Sequence, residues 1–252
     1  MQDHPYFQVQ GPVVLAHRGG TSKTENTLET FKDAIAAGVF SIETDVRTTK
    51  DNVALLFHDA DLNRVAGIDK KISELTLAEI EKINLNGGEK IPTLVGALNA
   101  LSQARFNLDI KDQASVYSTA AAIEVTKSHE RVLVSSFSNR RRIEALKLLT
   151  KEVATSASAS IVITLWLLHI LRLPSGFFRR KLRGIGAIQI PRQMFGIKLD
   201  SVSFISKVRA TGTQVHFWTI NNPQEMLELT MRGATGIVSD MSELAVQTLR
   251  KA

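Results

Sequence analysis

Glu43 and Asp45 are acidic residues whose spacing suits the binding of a cation. They are two residues apart in a strand-like run, so both carboxylates point to one face. Adjacent carboxylates repel each other, and a divalent cation, Mg²⁺ or Ca²⁺, removes that conflict through oxygen ligands. Asp109 ends a later strand-like run and is a candidate third ligand from across the same site. The alternative is an exposed acidic edge, because this spacing is common.

His17 and His58 have side chains that transfer protons at neutral pH, although a structural role is the alternative for either one alone. Arg18 offers a planar fork for a phosphate, with an ordinary salt bridge as its alternative. Lys111 would add a second cation near that phosphate, whereas strand-end lysines are usually only solvated. Trp218 ends another strand-like run, where it would wall a substrate pocket or belong to the core.

Strand-like and helix-like segments alternate along the chain, and these are the elements that must position the site residues. This alternation indicates an α/β fold with a parallel sheet. A (β/α)8 barrel of the TIM type gathers the carboxyl ends of its strands around one mouth, as the ionisable strand ends require. Nine runs are strand-like, one more than the barrel needs: residues 13–16, 41–47, 53–57, 105–111, 131–137, 153–157, 187–190, 214–220 and 234–239. The link 48–52 is too short for a crossover helix, so one strand beside it should be irregular or antiparallel.

Helix starts are marked by capping residues between these runs. Asn26 is predicted to cap the first helix, because Glu29 follows at the third position and apolar residues then share a face. Thr76 and Thr93 mark two further starts, and Asn222 opens a helix near the end of the chain. We find no internal repeat and no linker, which favours one domain over residues 1–252.

Composition excludes several classes of protein. The chain has no cysteine, which rules out disulfides and thiolate metal sites. No secretory signal is recognisable, which favours a cytoplasmic location. Neither a G-x-G-x-x-G nor a G-x-S-x-G motif occurs, which disfavours dinucleotide binding and serine hydrolysis. The net charge of +6 is concentrated locally, which argues against a nucleic-acid-binding surface.

Residues 158–186 form an unusual apolar and basic insertion. An apolar run at 161–171 is followed by Phe177 and Phe178 and then by a cluster of cations. Between Glu152 and Asp200 there are seven positive charges and no acidic residue. This composition predicts peripheral contact of 161–183 with an anionic membrane surface. The alternatives are an ordinary barrel helix with its apolar face in the core, or a homodimer contact.

Motifs distributed along nearly the whole chain resemble those of the glycerophosphodiester phosphodiesterase family. They are His17-Arg18-Gly19, Glu25-Asn26-Thr27, Glu43-Thr44-Asp45, His58-Asp59, Asn107-Leu108-Asp109-Ile110-Lys111, Ser135-Ser136-Phe137 and His216-Phe217-Trp218-Thr219-Ile220-Asn221. The resemblance implies the phospholipase C-like phosphodiesterase variant of the TIM barrel. It also implies metal-dependent hydrolysis of glycerophosphodiesters to an alcohol and glycerol 3-phosphate.

Site roles follow from the same resemblance. Glu43, Asp45 and Asp109 would bind one divalent cation, and His17 and His58 would form the acid–base pair. Arg18 and Lys111 would contact the phosphate. The family usually has Glu where this chain has Asp109, Pro where it has Thr24, and T-D-x-P where it has Ser239-Asp240-Met241-Ser242. Two other functions stay open, a lysophospholipase D acting on membrane-derived lysolipids and a peripheral lipid-binding module with a decayed site.

Overall fold

Eight parallel strands form a nearly closed barrel in the computed structural model, which describes residues 1, 3–21, 23–194 and 196–250. The strands are β1 (Val13–His17), β2 (Ser41–Thr48), β3 (Ala54–Leu56), β4 (Asp61–Leu62), β5 (Ile68–Lys71), β6 (Arg105–Ile110), β7 (Val132–Ser135), β8 (Ala154–Thr155), β9 (Ala187–Ile190), β10 (Gln193–Met194), β11 (Ile197–Lys198), β12 (Gln214–Phe217) and β13 (Gly236–Ser239). Around the barrel the order is β8, β7, β6, β2, β1, β13, β12 and β9. A parallel bridge between Ser156 and Ala187 joins the two ends of this order. The predicted α/β barrel is therefore confirmed.

Helices connect the barrel strands and cover their outer face. They are α1 (Leu28–Ala36), α2 (Asn63–Ala66), α3 (Leu77–Ile80), α4 (Leu94–Ala100), α5 (Ala114–Thr126), α6 (Asn139–Lys147), α7 (Ala159–Ile170), α8 (Ser175–Lys181), α9 (Val202–Arg209), α10 (Pro223–Met231) and α11 (Ser242–Arg250). Thr93 and Asn222 cap α4 and α10 as predicted, and Thr76 forms the expected capping box at α3. Large apolar clusters fill the space between helices and strands.

The ninth strand-like run is β3, which pairs with β2 in antiparallel orientation. This confirms the inference drawn from the short link between them. The backbone N–H of Phe57 donates to the carbonyl of Asp45 at 2.9 Å, so the chain returns to the level of Asp45 before it reaches His58. The segment between β3 and α4 leaves the barrel, and we call it the excursion; it carries His58. A separate apolar cluster, which includes Leu55, Leu62 and Ile72, stabilises it.

The prediction that Asn26 caps the first helix is wrong. Helix α1 begins one residue later than that cap would allow, and Thr27 caps it by accepting a hydrogen bond from the Thr30 N–H at 3.3 Å. Asn26 has a left-handed backbone, with φ of +58°, and its side chain is buried in the barrel mouth. Asparagine tolerates this conformation better than most residues do. The residue therefore serves the mouth of the barrel and not the helix.

Helices α7 and α8 occupy the segment that was predicted to be an insertion. Ile161, Val162 and Leu165 of α7 are buried together with Phe178 of α8, so one face of the segment belongs to the core. The opposite face of α7 exposes apolar side chains: Ile163, Leu167 and Ile170. Among the described residues, no helix is both long enough and apolar enough to cross a membrane.

His216 is fully buried inside the barrel, where its Nδ1 atom has no hydrogen-bond partner among the described residues. Its Nε2 lies 2.9 Å from Gln214 Oε1. A Cβ atom on Gly236 would lie 2.6 Å from the imidazole ring, so the glycine makes room for it. Burial lowers the pKa of His216 to about 4, because the charged imidazolium would lose its hydration.

We predict that His216 makes the protein sensitive to mild acid. The unfolded state, with a histidine pKa of about 6.5, binds a proton that the folded state excludes, so stability is lost as pH falls from about 6.5 towards 4. In urea unfolding at pH 7 and pH 4.5, the wild type should lose about 2 kcal/mol more stability than His216→Gln. Parallel losses in the two proteins would contradict this assignment.

Candidate active site

One cavity at the carboxyl ends of the barrel strands brings together all of the predicted site residues. It has a volume of about 210 Å³, and its lining includes His17, Arg18, Glu43, Asp45, His58, Asp109, Lys111 and Trp218. The first seven of these line its polar side. A turn through Arg18 and Gly19, both with positive φ, directs the chain away from the end of β1. A Cβ atom on Gly19 would lie 2.6 Å from Thr30, so only glycine fits there without rearrangement.

The three acidic residues lie side by side on neighbouring strands. Glu43 and Asp45 point to the interior of the barrel from β2, and Asp109 is the register partner of Asp45 on β6. His17 is the register partner of Glu43 on β1. The expectation that Asp109 reaches the site from across the mouth is therefore wrong, because β6 pairs directly with β2. Parallel pairing makes these carboxylates immediate neighbours.

Two cations partly neutralise this acidic cluster. The Lys111 ammonium lies 2.7 Å from Asp45 Oδ1 and 2.8 Å from Asp109 Oδ2. Arg18 Nε lies 3.4 Å from Asp45 Oδ2, and Arg18 Nη1 donates to Glu25 at 3.1 Å. The two residues predicted to contact a phosphate are thus held by carboxylates in this structure.

Burial and mutual repulsion separate the protonation behaviour of the two carboxylates on β2. Burial raises the pKa of Glu43 to about 8, and the nearby Asp45 carboxylate adds to the increase. Burial also acts to raise the pKa of Asp45, but the charges of Lys111 and Arg18 outweigh it and keep that pKa below its ordinary value. At neutral pH, Glu43 therefore retains a proton in this arrangement while Asp45 is ionised.

The donor atoms of this cluster fit a hard divalent cation by their chemistry. Glu43, Asp45 and Asp109 are buried and supply only carboxylate oxygens, which are the ligands that Mg²⁺ and Ca²⁺ prefer. In the present arrangement of the described residues, however, no three His, Cys, Asp or Glu side chains are positioned to hold a metal ion, so a cation at this cluster requires side chains to move. The ammonium of Lys111 lies between two of the three carboxylates.

His17 is oriented by a carboxylate that the sequence analysis did not identify. Its Nδ1 lies 2.6 Å from Asp240 Oδ1, and its Nε2 is on the side of Glu43, 3.9 Å from Oε2. The other oxygen of Asp240 accepts a hydrogen bond from Asn221 at 2.8 Å. Burial acts to lower the pKa of His17, but its acidic neighbours, above all Asp240 through its hydrogen bond, outweigh burial and raise that pKa above its ordinary value. Because Asp240 holds Nδ1, His17 Nε2 is the atom left for chemistry.

His58 has the same arrangement with the carboxylate that follows it. Its Nδ1 lies 2.7 Å from Asp59 Oδ1, and Asp59 Oδ2 accepts a hydrogen bond from Arg64 Nε at 2.6 Å. Arg64 also donates to Glu25 at 2.5 Å, which in turn binds Arg18. This chain of ion pairs links His58 to the acidic cluster through Asp59, Arg64, Glu25 and Arg18. A carboxylate on Nδ1 fixes the orientation of the ring.

Asn26 is a further buried residue that positions the cluster. Its Nδ2 donates to Asp45 Oδ2 at 3.2 Å, and its Oδ1 accepts from Thr44 at 2.6 Å. In the sequence, Asn26 is marked only by the Glu25-Asn26-Thr27 motif. The prediction that it caps a helix gave it a structural role in place of a role in the site. Asp59 and Asp240 could have been identified in a similar way, because each lies in a short motif at the end of a strand-like run. These motifs are His58-Asp59 and Ser239-Asp240-Met241-Ser242.

The other side of the cavity is apolar. It is lined by Ala157, Ala159, Val162, Ile190, Pro191 and Met194, among others. Trp218 lies just beyond the end of β12 and packs edge-to-face against Phe137, with ring centroids 6.2 Å apart. Phe137 is 61% exposed, so this aromatic pair borders the opening. The cavity therefore suits a ligand with one anionic end and one apolar or bulky end.

Comparisons with known proteins support a single family. The sequence model of the glycerophosphoryl diester phosphodiesterase family matches residues 17–244. A Mycobacterium tuberculosis protein named "Probable glycerophosphodiester phosphodiesterase 2" is 36% identical over 93% of this chain and 89% of its own length. A lysophospholipase D of Homo sapiens is 25% identical over 90% of this chain and 82% of its own length.

Solved structures agree with the fold. A phosphodiesterase of Oleispira antarctica, determined in complex with the product sn-glycerol-3-phosphate, superposes with a TM-score of 0.77. The alignment covers 95% of this chain and 97% of that protein, at 24% identity. The family match spans most of the barrel and all of the candidate site residues. The chain belongs to the glycerophosphoryl diester phosphodiesterase family of enzymes.

Proposed function

We propose that this enzyme hydrolyses glycerophosphodiesters to an alcohol and glycerol 3-phosphate, with a divalent cation at Glu43, Asp45 and Asp109. The observation that carries the proposal is the convergence of two carboxylate-oriented histidines on a buried acidic cluster in one cavity. Mg²⁺ and Ca²⁺ both suit oxygen ligands. When bound, such a cation would neutralise negative charge that develops on the phosphoryl oxygens.

His17 and His58 supply the proton transfers in this proposal. Each has its Nδ1 held by a carboxylate, which leaves Nε2 to act on the substrate. One histidine removes a proton from the attacking oxygen, either water or the glycerol 2-hydroxyl, and the other protonates the leaving alkoxide. Attack by water gives glycerol 3-phosphate directly, whereas attack by the 2-hydroxyl gives a cyclic phosphodiester, which a water molecule must then open to give the same product. Asp240 and Asp59 act as positioning residues, because each fixes the orientation of its histidine and stabilises the imidazolium form, which the base becomes and from which the acid starts.

Arg18 and Lys111 would contact the phosphate, and Trp218 would wall the side of the leaving group. Both cations line the cavity beside the histidines, which supports this assignment. A guanidinium can bind two phosphate oxygens at once, whereas an ammonium acts as a point charge.

A lysophospholipase D activity is the second candidate function. The apolar side of the cavity supports it, because Val162, Ile190 and Met194 could pack against an acyl chain. A human relative carries that name. A binding module with a decayed site is disfavoured, since both histidines and all three carboxylates are present and face one cavity.

We also propose that residues 161–183 contact an anionic membrane surface. The exposed apolar face of α7 continues into Leu171 and Phe177, and Ala159 and Val162 of the same helix line the cavity. Exposed cations flank this face, and no ion pair to a described acidic residue neutralises them: Arg172, Arg179, Arg180, Lys181 and Arg183. Such a combination favours adsorption to anionic lipid.

In this proposal, residues 1–252 act as one domain, and the segment 158–186 serves both the cavity wall and the membrane contact. A cytoplasmic location is compatible with adsorption to the inner surface of a membrane. A homodimer through the exposed apolar face is the competing proposal, because a second copy could cover Ile163, Leu167 and Ile170 equally well.

We predict that phosphodiesterase activity depends on an added cation. After dialysis against a chelator, release of choline from glycerophosphocholine should stop, and Mg²⁺ or Ca²⁺ should restore it, because the cation would neutralise the negative charge that develops on the phosphoryl oxygens. The same assay on lysophosphatidylcholine separates the two candidate activities. Full turnover of either substrate in excess chelator would refute the cation assignment, and no turnover of either with any cation would refute the proposed function.

We predict that His17→Ala and His58→Ala each lower kcat by at least about 10²-fold, as the loss of a general acid or base does. Asp240→Asn should lower kcat less, since it disturbs His17 only indirectly. In the His17→Ala background, Asp240→Asn should have no further effect, because the two residues act as a unit. Multiplicative losses in the double variant would show that Asp240 acts independently of His17. Circular dichroism should confirm that each variant is folded.

We predict that the protein sediments with liposomes that contain anionic lipid, and less so at high salt. Replacing Arg179 and Arg180 with Gln should weaken binding about 30-fold, at about 1 kcal/mol for each cation. Replacing Ile163, Leu167 and Ile170 with Ser should also weaken it. The matched control, Tyr117→Ser with Val125→Ser, removes exposed apolar side chains from α5 and should bind normally.

Light scattering on the same proteins tests the competing dimer. If the wild type stays in the supernatant and the α7 variant converts a dimer to a monomer, the exposed face is a dimer interface and the membrane proposal is wrong. Activity on soluble glycerophosphocholine should be retained in the α7 and α5 variants, which alter only outward-facing side chains.

A further inference from the structure

Lys111 is unusual because its ammonium group lies among the proposed metal ligands. It donates to Asp45 Oδ1 at 2.7 Å and to Asp109 Oδ2 at 2.8 Å. Its side chain is 17% exposed, and those of Asp45 and Asp109 are 2% and 10% exposed. These are close, largely desolvated ion pairs and not the loose contacts of a surface lysine.

The remaining contacts of Asp45 explain why Lys111 takes this position. Asp45 Oδ2 already accepts a hydrogen bond from Asn26 and faces Arg18. The oxygen that Lys111 contacts is therefore the one that Asp45 has left for another cation. Asp109 is the register partner of Asp45, so one ammonium group can span both carboxylates. Without it, two buried carboxylates would face each other with no charge between them.

A divalent cation bound between Asp45 and Asp109 needs Asp45 Oδ1, the oxygen that Lys111 now contacts, because Oδ2 is already held by Asn26 and Arg18. Mg²⁺ and Ca²⁺ contact carboxylate oxygens at about 2.0–2.6 Å, which is closer than the present contacts of the ammonium. The two positive groups would repel each other strongly at such a separation. The carboxylates cannot hold both in contact, so cation binding requires Lys111 to move away.

The length of the lysine side chain allows this movement. Four methylene groups carry the ammonium, and Lys111 lines the cavity where the substrate phosphate would lie. Once it leaves the carboxylates, the ammonium is available to a phosphate in that cavity. This sequence of events would make phosphate binding by Lys111 dependent on prior cation binding.

We propose that Lys111 is an internal counter-cation, which competes with the divalent cation for Asp45 and Asp109 and is released to the substrate phosphate when that cation binds. The inference rests on the proposed metal site, and it concerns the order of binding and the affinity of that site. Removing the ammonium should strengthen cation binding and weaken phosphate binding. A purely structural role would not change the two affinities in opposite directions.

Calorimetric titration of the chelator-dialysed protein with Mg²⁺ or Ca²⁺, without substrate, tests the first half of this proposal. Lys111→Met removes the charge and keeps a similar length, and it should bind the cation about tenfold more tightly or better than the wild type. Arg47→Met is the matched control for a general loss of positive charge. Arg47 contacts Asp112 and the carbonyl of His58 and does not contact Asp45 or Asp109, so its loss should change the cation affinity much less.

Titration with glycerol 3-phosphate at saturating cation tests the second half. Lys111→Met should bind it about tenfold more weakly than the wild type, because one charge on the phosphate is then unpaired. Equal or weaker cation binding by Lys111→Met, or an equal gain in Arg47→Met, would overturn the inference and leave the metal site intact. A wild type that binds neither cation would refute the metal site itself, and the inference with it.

Thermal unfolding in excess chelator gives a readout that does not depend on activity. The variant Lys111→Met should melt below the wild type, since Asp45 and Asp109 then repel each other without compensation. Saturating cation should remove that difference or reverse it, because the divalent ion replaces the missing charge. A melting difference that is the same with and without cation would also overturn the proposal.

Discussion

Burial of three carboxylates in one barrel mouth is the constraint on which the arrangement of the site depends. The pairing of β2 with β6 holds three carboxylates together: Glu43, Asp45 and Asp109. Backbone hydrogen bonds and apolar packing stabilise this pairing, although it brings like charges close to one another. Isolated buried charges of one sign are strongly unfavourable. Lys111, Arg18 and Asn26, together with the raised pKa of Glu43, are the means by which this structure accommodates them.

The groups that compensate the buried carboxylates also contact the residues that orient one of the histidines. Arg18 neutralises Asp45 but also binds Glu25, which binds Arg64 and through it the Asp59 carboxylate that orients His58. His17 is oriented separately by Asp240, which directly follows the last barrel strand, β13. One histidine thus depends on the excursion after β3, and the other on the closure of the barrel between β1 and β13. The geometry of the candidate site therefore requires both the completed barrel and the packed excursion.

Local patterns in the sequence predicted the eight barrel strands and β3, most helix caps and eight of the residues that line the cavity, because period, capping and strand-end chemistry are short-range signals. They did not predict the short strands β4, β5, β10 and β11. The pairing of β2 with β6 is long-range, which is why Asp109 was expected across the mouth and was found beside Asp45. Asn26 was misread for a related reason. Its neighbours fit a helix start, and only the fold reveals that its amide contacts Asp45. The partners of the histidine Nδ1 atoms likewise depend on tertiary contacts.

Helix α7 connects the chemistry of the cavity with the outer surface. A helix that is apolar on all sides is typical of a fully buried position, yet α7 is buried on one side only. Its first turn lines the apolar side of the cavity, and its exposed apolar side chains, from Ile163 to Ile170, extend for about 10 Å along the helix axis, at about 1.5 Å per residue. Substitutions on the exposed face of α7 should leave the groups that line the cavity in place, because only the buried face of this helix contacts the barrel. The outward apolar residues are therefore free of the constraint that fixes the site, and packing within the barrel does not explain their exposure.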